Sequence, residues 1–154
     1  MSWLDLVVAI LTMTPAPSAA PEAPPIVGVI DSDPVARAGI QSLLHPVGVE
    51  VTTFDSAESY LLAHGRRQIA CLIVDLLLPG MSGLELLRRL RGLGNDIPVI
   101  LLADESDVPT AVAAMREGAT DFIEKPDVNV AVLKQVQKLL RQRAQPGSAA
   151  RALD

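Results

Sequence analysis

Three charged residues each follow a short apolar run, and their types suit phosphate chemistry. Asp31 follows the first run, Asp75 a later one and Lys125 the last. Carboxylates that lie close together repel one another unless a cation compensates their charge. A hard divalent cation such as Mg²⁺ binds carboxylate and carbonyl oxygens, and a lysine ammonium group can hold a phosphoryl oxygen. These residue types therefore predict a site at which a carboxylate attacks phosphorus.

Each of these residues also has an ordinary structural role. Asp31 or Asp33 alone would serve as the N-cap of a helix that begins at Pro34. Asp75 alone could be a turn residue at a strand end, and Lys125 could be a solvated loop lysine. The combination is more specific than any one residue, because the carboxyl ends of parallel strands meet at one edge, where ligands bind.

The elements that must position these residues are short apolar runs that alternate with segments of helical periodicity. The runs are rich in Val, Ile or Leu, as buried strands are. Strand and helix follow each other repeatedly, which predicts an α/β fold with a parallel sheet, helices on both faces and right-handed crossovers. The predicted strands cover residues 26–30, 49–54, 70–74, 97–103 and 120–124.

Start signals and apolar stripes define the predicted helices. Pro34 suits the first turn of a helix that runs to Leu44. Asp55 and Glu58 have the spacing of a capping box before a helix through Ala63. The other helices show apolar stripes, which are Leu84, Leu87 and Leu90, then Val108, Val112 and Met115, and finally Leu133, Val136 and Leu140.

Composition limits the functions that the chain can have. Its 154 residues suffice for one domain with a real core. The 13 Lys and Arg against 18 Asp and Glu give a net charge of -5, and such an acidic chain without a basic cluster is a poor candidate for direct nucleic-acid binding. The single cysteine, Cys71, cannot form an internal disulfide, which fits a reducing compartment.

Residues 1–25 differ from the rest of the chain. An apolar stretch ends at Met13, and a Pro- and Ala-rich stretch follows. A signal peptide is disfavoured because no Lys or Arg precedes the apolar stretch and Asp5 interrupts it. The stretch is also shorter than the roughly 20 apolar residues that span a membrane. We predict a loosely ordered start and spacer, one domain over 26–143 and a frayed tail over 144–154; a short apolar helix that docks on a partner or membrane surface is the alternative.

The sequence resembles the receiver domains of two-component response regulators over about Ile26 to Arg143. The matching pieces are IVGVIDSD, CLIVDLLLPGMSGLELL and PVILLADESDVPTAVAAMREGATDFIEKP, with the spacings between them. The third piece is most similar to receivers that precede a DNA-binding output domain. The resemblance implies a flavodoxin-like, doubly wound sheet of five parallel strands in the order 2-1-3-4-5. It also implies a cytoplasmic, non-enzymatic signalling protein.

The resemblance further implies a role for each matching position. Asp75 matches the aspartate that accepts phosphate from a histidine kinase, and Asp31 matches an acidic ligand of Mg²⁺. Leu77 matches the residue whose backbone carbonyl binds the metal. Lys125 matches the lysine that contacts the phosphoryl group, and its bond to Pro126 would be cis.

Two positions depart from the family pattern. Ser32 stands where the family places a second acidic metal ligand, and a hydroxyl binds Mg²⁺ more weakly than a carboxylate does. Asp33 is an adjacent substitute ligand, although its side chain should leave the backbone in a different direction. Ala103 stands where a Ser or Thr hydroxyl normally couples the phosphoryl group to a switch aromatic, which Phe122 matches. The departures predict weak Mg²⁺ binding and an altered switch.

Two functions stay open from the sequence. The first is a receiver that is phosphorylated on Asp75 and signals by protein–protein contact through its fourth helix, fifth strand and fifth helix after the spacer, a face that could also form a homodimer. The second is a pseudo-receiver with a degraded metal site, which binds its partner regardless of phosphate. A nucleotide-binding enzyme is disfavoured, because acids stand where a glycine-rich turn should follow the first strand.

Overall fold

A parallel five-stranded sheet forms the centre of the structure, a computed structural model that describes residues 2–13, 24–63, 68–104, 108–125 and 128–144. Its strand order is β2–β1–β3–β4–β5. This order confirms the predicted fold class and topology. The strands are β1 (Ile26–Ile30), β2 (Glu50–Phe54), β3 (Ile69–Asp75), β4 (Val99–Ala103) and β5 (Asp121–Glu124).

Helices cover both faces of this sheet. Pro34 stands in the first turn of the helix after β1, and the side chain of Asp33 accepts a hydrogen bond from the Val35 N–H, so Asp33 is the N-cap. The short 3₁₀ helix His45–Val47 follows. The α-helices in the described ranges are α1 (Trp3–Met13), α2 (Pro34–Leu44), α3 (Ala57–Ala63), α4 (Gly83–Gly92), α5 (Val108–Arg116) and α6 (Val128–Ala144).

Two apolar clusters fill the space between the sheet and its helices. Because strand side chains alternate between faces, Leu72 and Val74 of β3 join the cluster under α3, α4 and α5. Cys71 and Ile73 join the cluster under α2 and α6. Cys71 is a small core residue, and burial raises the pKa of its thiol to about 12. The central strands are therefore covered on both faces, which keeps their carboxyl ends in fixed positions.

The apolar stripe that predicts α5 faces solvent. Val108, Val112 and Met115 are 67%, 44% and 48% exposed, whereas Ala114 is fully buried. The helix packs through small side chains, which allow it to lie close to the sheet. Periodicity therefore predicts this helix correctly, but its apolar stripe does not face the core.

The cap of α3 also differs from the prediction. The Ser56 hydroxyl oxygen accepts the Ser59 N–H at 3.0 Å, and Asp55 accepts the Ser59 hydroxyl at 2.6 Å. Glu58 accepts the backbone N–H of Met81 at 2.7 Å, in the loop between β3 and α4. The predicted capping box is wrong because the helix begins after Ser56 and Glu58 is drawn to a distant donor.

Most of the apolar start is helical. Trp3 and Leu4 of α1 are 75% and 68% exposed. Residues 3–13 thus have the secondary structure of the alternative, a short apolar helix, and docking of this helix on a partner or a membrane surface stays a prediction. In the described ranges no helix combines the length and the apolar character needed to cross a membrane. The residues of the predicted spacer at 14–23 and of the predicted tail at 145–154 lie outside those ranges.

Candidate functional site

Asp31, Asp75 and Lys125 meet at the carboxyl edge of the sheet. The Lys125 Nζ atom lies 3.2 Å from Asp75 Oδ2 and 3.5 Å from Asp31 Oδ2. Both carboxylates are buried, with 1% of Asp31 and 5% of Asp75 exposed. They belong to the ends of β1 and β3, which are neighbours in the sheet. The structure thus brings together the three residues from which the sequence predicts a site.

The backbone around Asp31 is held from several sides. Its N–H donates to the Phe54 carbonyl oxygen at 3.1 Å, and its own carbonyl accepts a 2.6 Å hydrogen bond from Arg37 Nη1. Its Oδ1 atom accepts the Asp33 N–H at 2.9 Å. Its Oδ2 atom is buried and has no hydrogen bond within the described part of the chain. A buried carboxylate oxygen without a hydrogen bond is costly, so this atom, which lies 3.5 Å from the Lys125 ammonium, is suited to contact with a cation.

Asp75 ends β3 in a tightly connected turn. The Leu76 N–H donates to Leu102 O at 2.7 Å, and the Leu77 N–H donates to Asp75 Oδ1 at 3.2 Å. Burial raises the pKa of Asp75, and the charge of Asp31 acts in the same direction. The Leu77 N–H and the Lys125 ammonium oppose this rise. Asp75 is therefore a carboxylate whose charge the fold only partly compensates.

Lys125 also contacts a third carboxylate. Its Nζ atom lies 3.7 Å from Asp104 Oδ1, and the Asp104 side chain is 61% exposed. Burial lowers the pKa of Lys125, but the hydrogen bond to Asp75 and the charges of Asp75, Asp31 and Asp104 outweigh burial and raise it. The ammonium group is therefore charged at neutral pH. Sequence reasoning missed Asp104, although it directly follows the β4 strand, whose carboxyl end must reach the same edge.

The remaining predicted metal-site positions surround this cluster. Ser32 is exposed, and Asp33 Oδ1 accepts the Val35 N–H at 2.9 Å as the cap of α2. Leu77 exposes 68% of its surface, and its N–H points to Asp75. The roles of Asp33 and of the Leu77 carbonyl as metal ligands stay predictions.

The predicted switch positions lie on the other side of the cluster. Ala103 is 3% exposed at the end of β4, so this position offers a methyl group where the resemblance implies a hydroxyl. Phe122 is partly buried against the cluster under α3, α4 and α5. Its role as a switch stays a prediction. Pro126, on which the predicted cis bond depends, lies outside the described residues.

The site offers two carboxylates to a hard cation. Asp75 and the buried Oδ2 atom of Asp31 are oxygen donors of the kind that Mg²⁺ prefers. Within the described ranges, no group of three or more His, Cys, Asp and Glu side chains is arranged to hold a metal ion. The donor set fits Mg²⁺, and the weak binding expected from the sequence stays a prediction.

Comparisons with known proteins give the chain a clear family relationship. A family model described as "Response regulator receiver domain" matches residues 27–138. The transcriptional regulatory protein FixJ of Azorhizobium caulinodans is 40% identical over 127 residues, which cover 82% of this chain and 60% of that protein. FixJ of Bradyrhizobium diazoefficiens is 35% identical over 125 residues, with 81% and 60% covered. The chain thus spans about three fifths of these curated relatives.

A solved structure extends the likeness to three dimensions. The response regulator receiver protein from Pseudoalteromonas atlantica superposes with a TM-score of 0.69 at 38% sequence identity. The match covers 77% of this chain and 99% of that one. The likeness therefore involves the sheet and its helices as a whole, beyond the short segments that carry the site.

Proposed function

This chain belongs to the family of response regulator receiver domains, and we propose that it accepts a phosphoryl group on Asp75 from a histidine kinase. One observation carries the proposal. The Asp75 carboxylate is buried at the carboxyl edge of the sheet, and its Oδ2 atom lies 3.2 Å from the Lys125 ammonium. A nucleophilic oxygen and a cation for phosphoryl oxygens thus stand side by side.

The two carboxylate oxygens of Asp75 have different contacts and therefore different roles. The Leu77 N–H holds Oδ1, which leaves Oδ2, beside Lys125, to form the bond to phosphorus. As that bond forms, the bond from phosphorus to the kinase histidine breaks, and its electron pair stays on the imidazole nitrogen. The Lys125 ammonium then exchanges its contact with the carboxylate for one with a phosphoryl oxygen.

The oxygen donors of the edge also suit Mg²⁺. Asp31, Asp75 and the Leu77 carbonyl would hold the ion. When bound, it would neutralise negative charge that gathers on the phosphoryl oxygens. Ser32 adds no charge to this set, so the affinity for Mg²⁺ is low.

The output of the domain is a protein–protein contact made in the cytoplasm. The face formed by α5, β5 and α6 lies next to Lys125, which follows β5 directly. Its helix α5 exposes Val108, Val112 and Met115, and apolar side chains of this kind suit contact with a downstream protein or with a second copy. Phosphorylation changes the contacts of Lys125 and thereby this face.

A pseudo-receiver is the second candidate function, and two observations favour it. Ser32 lacks the charge of a metal ligand, and Ala103 lacks a hydroxyl for the phosphoryl group. In this alternative the domain binds its partner through the same face whether or not phosphate is present.

Phosphorylation by a small donor separates the two candidates. The protein is incubated with acetyl phosphate and Mg²⁺, and intact mass is measured for the native chain and for Asp75→Asn. We expect one phosphoryl adduct on the native chain and none on the variant. Absence of the adduct at high donor and metal concentrations would refute phosphoryl acceptance, and an adduct on the variant would refute Asp75 as its site.

A further inference from the structure

We propose that Asp104 is a positioning residue that holds Lys125 from the solvent side and weakens the binding of phosphate groups from solution. The proposal deepens the proposed function and rests on it for its consequence for phosphodonors. Asp104 approaches the ammonium group to 3.7 Å. It is the exposed member of the three carboxylates around Lys125.

The register of the sheet places Asp104 beside Lys125. Ala103 of β4 pairs with Glu124 of β5 in the parallel ladder. Asp104 directly follows Ala103, and Lys125 directly follows Glu124. The strand pairing therefore brings Asp104 and Lys125 side by side. The contact therefore follows from strand pairing.

Exposure decides which carboxylate an incoming anion meets. The Asp31 and Asp75 side chains are 1% and 7% exposed, whereas that of Asp104 is 61% exposed. A phosphate group that approaches Lys125 from solution therefore meets the Asp104 carboxylate on its way. It is repelled by that charge and competes with it for the same ammonium group.

The positions of the charges argue against Asp104 as a metal ligand. The charged partner of Asp104 is the Lys125 ammonium group, with Nζ 3.7 Å from Asp104 Oδ1. Within the described residues, Asp104 does not join Asp31 and Asp75 in a group of three side chains arranged to hold a metal ion. Asp104 thus acts at the part of the site where Lys125 would contact the phosphoryl group.

Neighbouring positions strengthen the effect of Asp104. Ala103 supplies no hydroxyl to attract a phosphoryl oxygen, so Lys125 is the main donor on this side. A carboxylate that occupies part of that donor should reduce the affinity for small dianions. Under the proposed function, Asp104 slows phosphoryl transfer from small anionic donors, and the transfer still proceeds at high donor concentration.

A titration with inorganic phosphate tests Asp104 without any covalent step. Binding is followed through the NMR signals of the Lys125 side chain and the Ala103 amide. We expect Asp104→Asn to bind phosphate about three- to fivefold more tightly than the native chain, as one largely exposed charge allows. The difference should shrink at high salt because exposed charges are screened.

Matched variants make the result specific. Asp104→Glu keeps the charge and should restore the weak binding of the native chain. Asp96→Asn removes one charge in the loop before β4, at the opposite edge of the sheet, and should leave binding unchanged. Equal affinity in Asp104→Asn and the native chain would overturn the proposal, as would an equal gain in Asp96→Asn.

The same variants also distinguish failure of phosphoryl acceptance on Asp75 from failure of the proposed role of Asp104. Acetyl phosphate is added to each with Mg²⁺, and the rate of adduct formation is read from intact mass. A faster rate in Asp104→Asn alone supports both proposals. If no variant forms an adduct, phosphoryl acceptance fails, and the phosphate titration still decides the role of Asp104.

Discussion

Gly83, the first residue of α4, lies directly against the backbone of Asp75. A Cβ atom at Gly83 would stand 2.5 Å from the Asp75 carbonyl oxygen and 3.1 Å from the Leu76 Cα atom. The Gly83 N–H also donates to the Leu76 carbonyl oxygen at 3.0 Å. The turn that carries Asp75 and Leu77 is thus fixed by a close backbone approach, which the lack of a side chain at Gly83 permits.

Substitution of Gly83 by alanine should strain this turn. We expect Gly83→Ala to lower the free energy of unfolding by about 1–3 kcal/mol, the usual cost of overpacking, as measured by urea denaturation. Gly92→Ala is the matched control, because it lies in the same helix with nothing within 4 Å of the added Cβ. It should be neutral or stabilising, since alanine favours helix. Equal effects of the two changes would mean that Gly83 does not constrain the turn.

The sequence predicts much of this site because the carboxyl ends of parallel strands lie at one edge of the sheet. Once the apolar runs that lead to Asp31, Asp75 and Lys125 are recognised as strands, their carboxyl ends must lie together. The N-cap role of Asp33 is equally local, since it requires only the residues that follow it. Features that depend on strand order or on one turn of helix are therefore accessible from the sequence.

Contacts between distant elements are not accessible in the same way. The contact between Asp104 and Lys125 depends on the register of β4 against β5. The orientation of α5 depends on how closely Ala114 lets the helix approach the sheet. The hydrogen bond from Met81 to Glu58 joins residues 23 positions apart. Each of these features is decided by tertiary packing, which competes with the local patterns.

The raised pKa of Asp75 predicts that its charge destabilises the fold. Burial raises the folded-state pKa above its usual value of 3.8, so the folded state binds this proton more tightly than the unfolded chain does. Protonated Asp75 therefore stabilises the fold. This contribution is complete below the unfolded-state pKa of Asp75 and is lost as pH rises through its folded-state pKa. Asp75→Asn should therefore be more stable than the native chain near neutral pH, by roughly 1 kcal/mol.

Urea denaturation over a series of pH values checks this prediction. The advantage of Asp75→Asn should be small near about pH 3 and should grow until the pH exceeds the folded-state pKa. Above that value the difference should stay constant. An advantage that stays constant with pH would show that Lys125 compensates the Asp75 charge fully, and one that shrinks as pH rises would show that ionised Asp75 stabilises the fold.

A carboxylate at position 32 should strengthen metal binding. We expect Ser32→Asp to raise the affinity for Mg²⁺ about tenfold, because the site gains a charged oxygen donor. Binding is measured by titrating Mg²⁺ and following the NMR signals of the Asp31 and Leu77 amides. An unchanged affinity would mean that a side chain at position 32 does not reach the ion.

Asp33→Asn gives the matching test for the neighbouring carboxylate. Asparagine caps a helix as well as aspartate does, so the variant keeps the start of α2 and removes only the charge. We expect the Mg²⁺ affinity to change little, because the Asp33 carboxylate already accepts the Val35 N–H. A large loss of affinity would instead identify Asp33 as the substitute ligand.

Glu58 should hold the loop between β3 and α4 against opening. Its hydrogen bond from the Met81 N–H is the largest of the effects that lower the pKa of Glu58, so the contact favours the ionised carboxylate. We expect the Met81 amide to exchange with solvent faster in Glu58→Ala than in the native chain. Glu58→Gln should fall between them, because a neutral amide oxygen is a weaker acceptor than a carboxylate.

The pH dependence of this contact has a definite sign. A lowered folded-state pKa means that the stabilisation is present above the usual value of 4.5 and is lost as pH falls through the folded-state pKa. Amide protection of Met81 in the native chain, corrected for intrinsic exchange, should therefore fall in acid, while that of Glu58→Ala should not. Equal protection in both chains at every pH would mean that the Glu58 contact does not hold the loop.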